Sequence, residues 1–259
     1  MKTLLALIVC CSFTCFGQKI VLGSTEPVVA DSFVGYDNLG FAYLIYNNTF
    51  TKKKNTISLE YKNLGLGKIE RADILNPLKI ALFYSDFNTV VLLDNQLNEI
   101  RQINFSEFQR QQILVQATGN ASRNRLWIFN GLTLELALYD HLRNEYQTLT
   151  QPLSGDILYY ETDFNNFRWI DENNDWYECD IYGKITFRGK VPGFDAVHFT
   201  DTGALILRNG DQISYFDSEK NLLPLIEIDA KSFKSFYYSP QNLAIFTTIG
   251  ITNYKLTLP

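Results

Sequence analysis

The chain has 259 residues with 23 basic and 28 acidic side chains, a formal charge of -5. It is 46% hydrophobic and 14% aromatic, which supplies a sizeable core and excludes a disordered chain. Its acidic balance, with Lys52-Lys53-Lys54 as the basic cluster, argues against a nucleic-acid partner.

Met1 to Gly17 starts with Lys2, runs apolar from Leu4 to Cys10 and closes on Cys15-Phe16-Gly17, the pattern of a secretory signal peptide with Gln18 as the first mature residue. The rival reading is a lipoprotein cut before Cys15, which Phe13 and Thr14 fit poorly as a small-residue motif. No later stretch approaches the 18 or so apolar residues that a membrane-spanning helix needs. Removing the leader leaves 242 residues, residues 18–259, with Cys179 as the single cysteine. A mature chain with one cysteine has no internal disulfide, which is ordinary in a bacterial envelope and unusual outside a eukaryotic cell. The expected location is therefore the periplasm or the outer membrane.

Gln18 to Gly23 reads as a strand with nothing local to pair with. Strands follow at Val28 to Tyr36, Phe41 to Tyr46, around the Lys52 to Asn55 turn, and at Thr56 to Tyr61. A second group spans Ile69 to Phe105, and Ser106 to Gln112 reads as one helical turn before a third group from Ile113 to Leu149. A fourth runs from Asp156 to Lys190 and a fifth from Phe194 to Ile228. The last, with strands at Phe233 to Tyr238, Leu243 to Thr247 and Ile251 to Leu258, lacks an outer strand.

Turns set the period. Asp, Asn, Ser and Gly suit them because their short side chains bond the local backbone or tolerate left-handed dihedrals. One series begins at Asp37, Asn76, Asn120, Asp163, Asp201 and Ser239, with spacings of 39, 44, 43, 38 and 38 residues. A second, after the third strand of a group, begins at Asp94, Asp140, Asp180 and Asp217, with spacings of 46, 40 and 37. A common period near 40 is the length of a four-stranded propeller blade. The expectation is one all-β domain, a six-bladed β-propeller of four-stranded antiparallel blades, with Gln18 to Gly23 completing the sixth blade and closing the ring.

With Ser239-Pro240-Gln241-Asn242 and Asp201-Thr202-Gly203 before apolar strands, the chain resembles the propeller superfamily of TolB-like, WD40-like and NHL-like repeats. The resemblance covers the mature chain at the level of repeat grammar. It implies the fold and no activity, because no WD dipeptide, kelch double glycine or Asp-box is present.

Chemistry-bearing residues are sparse. His141 follows a turn and is expected in solvent, whereas His198 sits on an inner strand and is expected to face the central channel. Two histidines in different blades do not make a His-rich metal set, and no Gly-x-Ser-x-Gly elbow marks a nucleophile. Asp171 to Asp175 begins like a calcium loop, but Trp176 replaces the needed glycine and Tyr182 the final glutamate, so a polar corner explains it. Lys52 to Lys54 reads as a solvated hairpin turn, Cys179 as a buried small hydrophobe, and Asn47, Asn104 and Asn120 as chance sequons.

What remains is a face. Corners between second and third strands share one side of a propeller with the links between blades, the usual binding side. Tyr84, Asp86, Phe87, Trp169, Asp171, Asp175, Trp176 and Asp211 flank those corners and are the candidate binding residues. No catalytic residue, metal or cofactor is assigned. The expectation is a non-catalytic interaction or scaffold module of the bacterial envelope that docks another envelope or outer-membrane protein. Its rivals are a propeller hydrolase or cyclase with a central ion near Asp73, Gln116, Glu161 and His198, and a glycan-binding propeller.

Overall fold

A computed structural model of the chain describes residues 19–217 and 221–258. The leader read at Met1 to Gly17, with Cys15, lies outside them, as does Gln18.

The strands are β1 (Lys19–Glu26), then β2 (Ser32–Tyr36), β3 (Ala42–Tyr46), β4 (Thr49–Lys54) and β5 (Ile57–Tyr61) in blade one. Blade two holds β6 (Arg71–Asp73), β7 (Ile80–Tyr84), β8 (Thr89–Leu93) and β9 (Glu99–Asn104). Blade three holds β10 (Val115–Asn120), β11 (Arg125–Asn130), β12 (Glu135–Asp140) and β13 (Glu145–Thr148). Blade four holds β14 (Ile157–Thr162), β15 (Asn166–Asp171), β16 (Asp175–Asp180) and β17 (Ile185–Lys190). Blade five holds β18 (Ala196–Phe199), β19 (Leu205–Asn209), β20 (Gln212–Phe216) and β21 (Leu222–Glu227). Blade six has β22 (Phe233–Ser239), β23 (Asn242–Thr247) and β24 (Gly250–Thr257) as its inner three. Each blade is an antiparallel sheet of four, and β1 is the outer strand of the sixth, pairing Lys19 with Thr257 through Glu26 with Ile251. The closure read from the sequence is the closure the fold uses. The first strand of blade one begins at Ser32 rather than Val28, and the short helix between blades two and three is a 3-10 turn at Phe105–Glu107.

The turn series work by one device. Asp94 accepts the backbone N–H groups of Gln96 and Asn98, Asp140 those of Leu142 and Arg143, Asp180 those of Tyr182 and Lys184, and Asp217 that of Asn221. Asp37 and Asp163 do the same at the earlier turn, to Leu39 and Phe41 and to Asn165 and Asn166. Each carboxylate takes up N–H groups that the reversing backbone cannot pair, which is why aspartate recurs there.

The core lies between blades. Six apolar clusters each fill one seam, for example Phe83, Val90 and Leu92 against Leu126, Ile128 and Tyr139 between blades two and three. Burying one such side chain contributes roughly 1.5–3 kcal/mol. Polar tethers cross the seams as well: Asn88 bonds the carbonyl of Ile113 and the N–H of Val115, Trp127 Nε1 donates to the carbonyl of Asp163, and Lys234 Nζ to that of Ala30.

Two expectations about polar residues are corrected. Lys52 is not solvated: its ammonium lies 4.0 Å from Asp37 Oδ2, with both side chains buried, and it donates to the carbonyl of Asn95 across the seam to blade two. Alternation separates it from Lys53: Lys52 pairs with Tyr43 and faces the seam, Lys53 faces the other way, and Lys54, on the side of Lys52, is exposed at the strand end. His141 is 5% exposed rather than in solvent, and neither ring nitrogen has a hydrogen-bond partner among the described residues. Cys179 is a buried free cysteine, its thiol pushed up to about 12 by burial and Asp180.

Candidate functional site

The innermost strands β2, β6, β10, β14, β18 and β22 surround the central channel. Of the four residues expected there, the fold brings two together: His198 Nδ1 of β18 lies 2.8 Å from Glu161 Oε1 of β14. The same carboxylate oxygen accepts the Tyr159 hydroxyl and the backbone N–H of Phe199. Burial pulls the His198 pKa down, but the Glu161 carboxylate offsets it, and the net effect is upward. Burial and Glu161 push the Tyr159 hydroxyl well above its ordinary range. Tyr237 of β22, whose ring centroid is 5.7 Å from that of His198, is pushed up to about 12 mainly by burial, and its hydroxyl donates to the carbonyl of Tyr36 in blade one. Opposite, Arg71 of β6 reaches over to blade four, stacks 4.0 Å from the Tyr160 ring and donates to the Tyr160 carbonyl. Their bonds join blade four to blade five, blade six to blade one, and blade two to blade four.

The other two take no part. Asp73 turns to blade three, where Oδ2 accepts the N–H of Asn120 at 2.5 Å and Oδ1 that of Leu75. Gln116 lies at a β-bulge between Val115 and Ala117, with its side chain over Gly131 in the space a Cβ would need. The same slip recurs on the inner strands of blades one, four and six, and a one-residue slip switches the face on which a side chain lies. Among the described residues no three His, Cys, Asp or Glu side chains converge as a metal set would.

The eight candidate binding residues divide. Tyr84, Trp169 and Trp176 are buried in blade seams, and only Phe87 of the aromatic four is exposed. Both sides of every sheet pack against a neighbouring blade, so aromatics at strand ends are drawn into the core. Asp171 is buried with Oδ1 accepting the N–H groups of Asn173 and Asp175, as a polar corner requires. Asp175 pairs with Lys190 at 3.5 Å, Asp86 accepts the N–H of Lys68, and Asp211 is exposed.

Apart from Phe87, the exposed apolar residues on this link face lie outside the candidate set. In chain order around the ring they are Ile249 at the blade-six corner, Val29 on the link into blade one, Tyr46 at its corner, Leu64 on the next link, Phe87 at the blade-two corner, Leu114 on the next link and Leu132 at the blade-three corner. Seven consecutive loops each present at least one such side chain, with Leu134 beside Leu132 at the blade-three corner and Val29 and Leu64 at 80% exposure. The corners of blades four and five present Glu172 and Asn173, and Gly210 and Asp211, instead. On the opposite face the exposed apolar residues, such as Leu39, Leu78 and Tyr182, are interrupted by polar turns at Ser122 to Asn124 and Asp201 to Gly203. The sequence signal for the crescent is a lone apolar residue inside a turn-forming stretch, as in Asn63-Leu64-Gly65 and Thr248-Ile249-Gly250.

Ring, seams and closure define a six-bladed β-propeller. No family model and no curated protein matches the chain. Solved structures do. It is similar to a streptogramin B lyase, with 8% identity over 93% of this chain and 98% of that one and a TM-score of 0.59. It is also similar to virginiamycin B lyase from Staphylococcus aureus, with 14% identity, 87% and 79% coverage and a TM-score of 0.58. A third likeness is to YCF48 bound to a peptide, with 11% identity, 93% and 97% coverage and a TM-score of 0.54. Enzymes and a peptide-bound protein thus share the fold, which these likenesses establish without an activity. No helix among the described residues is long and apolar enough to cross a membrane.

Proposed function

We propose that this propeller is a non-catalytic docking module of the bacterial envelope, seating a partner protein on its link face. The observation that carries it is the unbroken series of exposed apolar side chains over seven consecutive loops from blade six to blade three. Exposed apolar side chains gathered on one face suit a protein contact, and most of the energy of such a contact comes from a few anchors. The channel groups support the same reading, since Glu161, His198, Arg71 and Tyr237 are taken up in bonds between blades. Export to the envelope rests on the leader pattern of Met1 to Gly17 and on the single cysteine of the remaining chain. The partner is accordingly another envelope or outer-membrane protein.

A second reading, a channel enzyme, has the Glu161–His198 pair in its favour, because strongly shifted groups in a channel are a mark of acid–base sites. Site-specific photo-crosslinking in the native cell separates the two. Phe87→benzoylphenylalanine should give a discrete covalent adduct, and Tyr182→benzoylphenylalanine on the opposite face none. Adducts from position 182 alone refute the assignment of the face, and adducts from neither refute docking.

A further inference from the structure

The apolar crescent stops short of blades four and five, and there the link face carries charge instead. Within residues 150–232, the link-face strand ends and the loops between them hold eight acidic side chains and three basic ones, an excess of five negative charges. Two of the three cations are already held: Lys190 lies 3.5 Å from Asp175, and Arg208 lies 3.6 Å from Asp195 while stacking on the Phe233 ring. Lys231 stands two residues from Asp229, whose Oδ1 accepts its backbone N–H. The next cation around the ring, Lys234, turns away and donates to the Ala30 carbonyl on the link into blade one.

Of the remaining acids, Asp171 is buried and spends Oδ1 on the N–H groups of its own corner. Asp156, Glu172, Asp211 and Glu227 are exposed, and among the described residues their carboxylates make neither an ion pair nor a hydrogen bond. Glu172 lies over Gly155, the residue before Asp156, so the corner of blade four and the link into it share one patch. No three of these acids converge as a metal set would. They are spread along an arc, which suits a broad cationic surface. The loops of the crescent carry both signs, with Lys62, Lys68 and Arg110 exposed among their acids.

We infer that the partner protein covers both arcs, laying apolar side chains on the crescent and a surface rich in lysine or arginine on blades four and five. The inference rests on the docking reading and names the chemistry of its partner. Like charges held together repel one another, and a cationic surface relieves that repulsion only when it lies on this arc. Exposed ion pairs add little affinity each, so the arc acts on approach and orientation. Rotations of the partner that lay its apolar side chains on these carboxylates strip them of water without a counter-charge, which disfavours them. The crescent thus selects the face, and the acidic arc selects the rotation.

The test extends the crosslinking scan in the native cell to Asn173 and Ala230, exposed neighbours of Glu172 and Asp229, with the partner peptide in each adduct identified by mass spectrometry. Asn173→benzoylphenylalanine and Ala230→benzoylphenylalanine should join the same protein as position 87, through segments in which Lys and Arg outnumber Asp and Glu. Combining Asp156→Lys, Glu172→Lys, Asp211→Lys and Glu227→Lys should cut the adduct from position 87 at least tenfold, and the matching Asn and Gln changes should cut it less. Melting curves confirm that the variants fold; where the lysine variant does not, the neutral one decides, and a loss below twofold counts against the inference. Adducts at 173 and 230 that are missing, that join another protein or that fall on neutral or acidic segments overturn the inference, as does a position-87 adduct untouched by charge reversal; docking through the crescent then stands. If position 87 gives no adduct, the docking reading falls and the inference falls with it.

Discussion

His141 should make the protein lose stability in mild acid. It is 5% exposed, with neither ring nitrogen bonded among the described residues, and its pKa is lowered to about 4 by burial, with Lys79 and Arg101 adding repulsion and Asp140 opposing it. In the unfolded chain an ordinary histidine titrates near 6.5, so between these values the unfolded state binds the proton and the folded state does not. The contribution is complete above pH 6.5 and is lost as pH falls towards 4. At 1.36 kcal/mol per pKa unit, the loss between pH 7.5 and pH 4.5 is about 2.5 kcal/mol. His141→Leu removes the group and, with it, two unsatisfied buried polar atoms, so it should be neutral or stabilising at pH 7.5. Urea unfolding of both proteins at pH 7.5 and 4.5 reads the difference. Carboxylates elsewhere titrate alike in both, so the variant should gain about 2.5 kcal/mol on the wild type when pH drops. A difference that stays constant with pH refutes the account.

Three further outcomes are expected. Asp37→Ala leaves Lys52 as a buried cation without its counter-charge, which should cost about 3–5 kcal/mol in urea unfolding; Lys52→Met in the same chain should recover part of it, and a loss below about 1 kcal/mol contradicts the buried pair. Removing residues 19–26 exposes the outer edge of β24, so the truncated protein should melt much lower or aggregate, and unchanged melting disproves the closure. Glu161→Gln should lower the NMR titration midpoint of His198; because Glu161 raises the folded pKa, the pair stabilises below the ordinary pH 6.5 and fades as pH rises through the raised value, and an unmoved midpoint would show that another group causes the shift.

What the sequence determined by itself was repetition and closure. Turn aspartates such as Asp94, Asp140 and Asp180 are local devices whose effect reaches only two to four residues, so their period is legible without tertiary information. The unpartnered strand at the start and the missing strand at the end likewise called for each other, and β1 with β24 answers them. The pairing of Glu161 with His198 was half legible, as polar residues on inner strands.

Tertiary structure decided which way side chains face. A propeller sheet is covered on both sides by its neighbours, so Trp169, Trp176 and Lys52 went inward, although their flanking turns read as surface. Bulges on four inner strands broke the two-residue alternation, which moved Gln116 out of the channel. The crescent from Ile249 to Leu132 runs over neighbouring loops only because the ring places loops distant in the chain side by side, an arrangement that no local pattern encodes.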